Sequence, residues 1–118
     1  MGFAWQSIQS SLRSREFAEV FHKSIEVPSE LTPEEELMMH GYYRDLVGIL
    51  TREILMISRG VFEDNSNFVA AQVVRQGLGT LHGRTWWDRN KVSYFPSTVA
   101  AVDEALKRAD EGEISLVL

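Results

Sequence analysis

Residues 31–60 read LTPEEELMMHGYYRDLVGILTREILMISRG, and the fold turns on this stretch. Thr32-Pro33-Glu34-Glu35 sets a capping hydroxyl before a first-turn proline and puts a glutamate at the third helical position. That pattern is a capping box, with carboxylates where the helix dipole favours negative charge. The helix it opens is predicted to run from about 33 to 59 and to stop at Gly60, because glycine adopts the left-handed conformation without strain. At about 1.5 Å per residue it spans roughly 40 Å, the length of a domain's spine. Wound as a helix, Met38, Met39, Tyr42, Tyr43, Leu46, Val47, Ile49, Leu50, Ile54, Met56 and Ile57 cover half the cylinder. Packing on one side needs a narrower stripe, so neighbours are expected on two sides. His40, Arg44, Asp45, Arg52 and Arg59 occupy the wetter face.

Upstream, Phe3 to Ile25 reads as one bent helix or two short ones. Trp5, Ile8 and Leu12 and then Phe17, Val20, Phe21 and Ile25 recur at helical spacing. Ser14 is a cap for the second piece, and Val27-Pro28-Ser29 stops it, since the residue before proline avoids helical geometry.

Downstream, Phe62 to Asn65 reads as a loop. Asn65 or Ser66 is predicted to cap a segment to about Leu81 that buries Val69, Val73, Val74, Leu78 and Leu81. Gly77 and Gly79 weaken its end and His82-Gly83 closes it, leaving His82 in a loop. Thr85 to about Val92 is a short helix carrying Trp86 and Trp87. Tyr94-Phe95-Pro96 is an extended turn, and Ser97 caps a last helix to about Ala109 with Val99, Val102 and Leu106 inward. Gly112 ends it before an apolar tail, 114–118. Residues 1–118 thus form a single all-α domain: a compact bundle of about five helices around a long central one.

The composition narrows the function classes. A chain of 118 residues with 44% hydrophobic and 25% charged residues holds one core. It contains no cysteine, which removes disulfides, thiolate nucleophiles and cysteine-ligated metals and fits a reducing compartment. A net charge of −5 disfavours nucleic acid, whose binders gain affinity by neutralising phosphate. No apolar run is long enough for a membrane span, and no signal-peptide layout opens the chain. Met1-Gly2 lacks the Ser or Thr that myristoylation wants, since Gln6 stands there.

From Leu31 onward the order of signals resembles a family of bacterial all-helical proteins of unassigned function. Many of them carry membrane-spanning segments ahead of the soluble domain. The matching elements are Leu31-Thr32-Pro33-Glu34-Glu35, the Arg59-Gly60 stop, Trp87 with Arg89, Phe95 with a proline, and Val102-Asp103. They extend over about three quarters of the chain. One turn departs from the pattern: Phe95-Pro96-Ser97-Thr98-Val99 stands where Phe-Ser-Pro, an acidic residue and Phe are expected. The resemblance implies no catalytic residues; it implies a cytoplasmic domain that sits at the inner face of a membrane.

No set of catalytic groups assembles from spacing. Glu16, Glu19 and His22 give one Glu-x-x-His, half of a di-iron signature, and no second copy exists. Glu36 and His40, four apart, do not reproduce it. No nucleophile elbow, dinucleotide loop or phosphate loop is present, so no catalytic residue, metal or cofactor is assigned. Arg84, Trp86, Trp87, Arg89 and Lys91 mix charge with aromatics as single-strand nucleic-acid platforms do. Adjacent helical residues diverge by about 100°, however, so one Trp should enter the core and at most one stay exposed. Glu53 falls inside the apolar arc and needs a partner such as Arg75 or Arg89. Gly41 and Gly48 share one face, continued by Leu37 and Leu55, as a close-approaching backbone would require.

Two functions follow. The first is a non-catalytic protein-interaction or self-association module, its contact surface at Gly41, Gly48, Trp86 and Trp87 with the apolar tail, its partner a protein or a second copy. The second is a small-ligand sensor or weak enzyme with an aromatic pocket around Tyr42, Tyr43, Glu53 and Trp86.

Overall fold

The computed structural model describes residues 14–61 and 63–114, and over these the chain is all-helical with no strand. The readings placed on Trp5, Ile8, Leu12, Phe62 and residues 115–118 lie outside the described residues. In chain order come α1 (Arg15–Glu26), a 3-10 turn (Pro28–Glu30), α2 (Pro33–Ser58), α3 (Ser66–Val73), a π-helical turn (Val74–Leu78), α4 (Leu81–Asn90), a second 3-10 turn (Lys91–Ser93) and α5 (Pro96–Asp110).

α2 is the spine. Its 26 residues rise about 39 Å, against a longest molecular dimension of 43 Å. The capping box forms in full: Glu35 N donates to Thr32 Oγ1 at 3.2 Å and Thr32 N to Glu35 Oε1 at 2.9 Å. Lys23 Nζ reaches the same Oε1 at 2.8 Å, so one carboxylate fixes the start of α2 and ties α1 to it. That ammonium, and then the Thr32 amide, hold the Glu35 carboxyl below its ordinary value. Gly60 ends the helix with φ +74°.

Met39, Tyr42, Tyr43, Leu46, Val47, Ile49 and Leu50 are buried, whereas Met56 and Ile57 in the last turn are only half-covered. α2 is touched on several sides. Phe17 of α1 lies 4.8 Å from the Tyr42 ring, Tyr42 OH donates to Gln76 O at 2.6 Å, and Thr51 meets Thr98 of α5 at 3.2 Å. Ser14 caps α1 as expected, accepting from Phe17 N.

The segment after α2 corrects several expectations. Asn65 occupies the cap position of α3 but makes no side-chain cap bond; the Asp64 carboxylate instead accepts from both the amide and the hydroxyl of Ser66. α3 then widens into the π turn, where Gly77 sits under the Tyr42 and Tyr43 rings. A Cβ there would lie 3.1 Å from each. A π turn inserts a residue and resets helical phase. The π turn ends at Leu78, and Leu81, the first residue of a new helix, is 77% exposed.

His82 and Gly83 are not a loop but the first turn of α4, which begins four residues earlier than expected. Thr80 is its cap, accepting from Gly83 N at 2.9 Å and donating to Gly77 O at 2.8 Å. Gly83 allows this fold-back, because a Cβ would strike Gly77 O and come within 2.8 Å of Leu78 Cα. The last helix also starts differently: Phe95 occupies the cap position without a side-chain bond, Pro96 is the first helical residue, and Ser97 lies inside the helix. Its inward face is Thr98, Val102 and Ala105, with Val99 and Leu106 half-buried.

Candidate functional site

The residues singled out for partner contact do not form one surface. Trp86 and Trp87 are both buried, at 8% and 0% exposure, so neither ring lies open on a surface. Because the two point about 100° apart, each meets a different neighbour. Trp87 Nε1 donates to Asp103 Oδ1 of α5 at 2.8 Å, and Trp86 Nε1 donates to His40 Nδ1 of α2 at 2.8 Å. Gly41 and Gly48 are half-buried with no atom near the place a Cβ would take, so no backbone approaches them among the described residues.

The alternative pocket does not assemble either. Tyr42 and Tyr43 are buried core residues, and Glu53 lies ten residues further along α2, about 15 Å away. Glu53 is 4% exposed. Arg89 points elsewhere, into a groove.

That groove has a volume of about 630 Å³. One wall is the start of α2 (Pro33, Glu36, Leu37, His40) and the other is α4 (Leu81, His82, Thr85, Trp86, Arg89, Asn90); Pro28 and Ser29 close one end. The two helices run parallel across it, because Glu36 faces His82 and His40 faces Trp86, four residues later on both. Spacing alone linked Glu36 with His40; tertiary structure gives each a different partner on α4.

The polar floor is already paired. Glu36 Oε1 lies 3.0 Å from His82 Nε2, and Tyr43 OH lies 2.9 Å from His82 Nδ1. An ionised carboxylate only accepts, so His82 carries its proton on Nε2 and takes the Tyr43 proton at Nδ1. His40 accepts at Nδ1, so its own proton sits on Nε2. Asn90 Nδ2 donates to Trp86 O at 2.8 Å, and Tyr43 packs 5.3 Å from the Trp86 ring.

Carboxylate, imidazole and hydroxyl in series are the ingredients of an activated nucleophile. Here the hydroxyl end is closed. Tyr43 is fully buried, and burial pushes its phenol up to about 12. The chain acts as a staple between α2 and α4. Among the described residues no cluster of three metal-ligating side chains occurs.

What remains open are the lips. Leu37 is 70% exposed on one and Leu81 77% on the other. Arg89, at the far end, enters no ion pair with a described residue. In the sequence Leu37 stands out for continuing the glycine stripe and Arg89 for its place among the tryptophans, while helical spacing puts Leu81 in the core. A smaller apolar depression of about 410 Å³ lies between Val92, Tyr94, Pro96 and Val99. Among the described residues no helix is long and apolar enough to cross a membrane. No family model, curated protein or solved structure matches this chain.

Proposed function

We propose that this chain is a non-catalytic interaction module that docks a helical protein segment in the groove between α2 and α4. The observation that carries the reading is the pair of exposed leucines, Leu37 and Leu81, on opposite lips of a groove whose floor is satisfied. His82, Tyr43 and the Trp86 indole already make their bonds within the floor, so the apolar part of the affinity comes from the lips. Burying both leucines on a partner would contribute about 2–4 kcal/mol. Two parallel helices with apolar lips are the receptor half of helix-in-groove recognition. The resemblance noted above adds a cytoplasmic setting beside a membrane.

The groove's volume favours a second reading, a small ligand seated against His40 and Arg89, since drug-sized sites fall in this range. Affinity capture from the native cell tests the first. The wild-type chain should retain proteins that a folded Leu37→Asp/Leu81→Asp variant loses. Identical capture by both would reject the groove as a docking site.

A further inference from the structure

We propose that the occupant of the groove is a second copy of this chain, docked about a two-fold axis that crosses the line from Glu36 to Arg89 at right angles. The inference rests on the docking reading above and names what fills the groove.

The groove has chemically opposite ends. At one end stands the half-exposed Glu36 carboxylate, with His82 on Oε1 and no described residue bonded to Oε2. At the other stands the Arg89 guanidinium, in no ion pair with a described residue, seven residues beyond His82 and so about 10 Å along α4. A perpendicular two-fold lays each end of one groove on the opposite end of its copy. Glu36 of each chain then meets Arg89 of the other, giving two symmetry-related carboxylate–guanidinium contacts. Leu37 and Leu81, beside Glu36, fall over the copy's Arg89 end, where Val92 is 87% exposed. Each site is incomplete alone and receives its counter-ion from the other chain. A two-fold along that line would instead set Glu36 on Glu36 and Arg89 on Arg89. Because each chain carries −5, unspecific approach is repulsive, and only the register that crosses the ends gains attraction.

Sedimentation equilibrium of the full chain, from about 1 µM to about 1 mM to cover weak and moderate affinities, reads the outcome. The wild-type mass should rise from one chain to two. Arg89→Glu and Glu36→Arg should each stay single at concentrations at least about tenfold higher, the equivalent of 1.4 kcal/mol. An equal mixture of these two variants should pair again, since opposite charges face each other at both contacts. Circular dichroism checks folding, and Leu81→Asp, altered at an exposed lip, provides a further single-chain variant should Glu36→Arg unfold. A wild-type chain that stays single throughout overturns the proposal. Pairing of the wild type without recovery in the mixture overturns the crossed register. A single chain that still captures proteins through Leu37 and Leu81 overturns self-docking and leaves the docking groove standing; capture and pairing both indifferent to those leucines overturn both.

Discussion

The indole nitrogen of Trp86 donates to Nδ1 of His40 at 2.8 Å, joining α4 to α2 across 46 residues of sequence. The bond satisfies a nearly buried N–H and fixes the imidazole tautomer, so the groove's floor is set before any ligand arrives.

His40→Ala should therefore cost about 1–3 kcal/mol, because it leaves a buried donor without an acceptor. In a Trp86→Phe background the same change should cost clearly less, since no donor remains to be orphaned. Urea unfolding of the four chains in this cycle measures the difference; equal costs in both backgrounds would show that the bond contributes nothing.

The glycines separate into two kinds. Gly83→Ala forces a methyl against the Gly77 carbonyl and Leu78 Cα, so a loss of about 2–3 kcal/mol is expected. Gly41→Ala and Gly48→Ala enter open space within α2 and should each stabilise by about 0.5–1 kcal/mol. Thermal or urea melts of the single variants check the opposite signs.

Alkaline unfolding should report Tyr43. Its phenol titrates near 10 in the unfolded chain and is raised to about 12 in the fold. The folded state then binds more protons between these values, so stability is complete below pH 10 and falls as pH rises toward 12. The loss approaches about 2–3 kcal/mol by linkage. Tyr42, raised in the same direction by burial, adds to it. Urea midpoints between pH 9 and pH 11.5 should fall less steeply in Tyr43→Phe than in wild type.

Thr32→Ala should cost about 1 kcal/mol by removing the cap of α2. Glu35, held below its ordinary value by Lys23, should stabilise the fold above the unfolded carboxylate range and lose that effect as pH falls through it. Lys23→Ala should flatten the acid limb of the stability profile, measured by urea unfolding between pH 5 and pH 2.

Much of the fold could be read without coordinates because it follows local rules. Thr32, Pro33 and Glu35 mark a helix start through bonds spanning three residues, and Gly60 marks a stop through its own φ. The apolar arc from Met39 to Leu50 follows from helical periodicity alone. The groove was not readable in this way. Periodicity puts Leu81 inward only if one helix runs through it, whereas Thr80 caps a new helix at that point.

The sequence by itself determined the all-helical class, the spine and its caps, since each depends on neighbours within about one helical turn. Tertiary structure alone decided that Glu36 meets His82, that His40 meets Trp86, and that both tryptophans are buried, each against a different neighbour of α4. Those pairings join residues 16 to 46 positions apart, and they depend on how the π turn re-aims α4 between α2 and α5. Periodicity sets which way a side chain points on its own helix; only packing sets what it finds there.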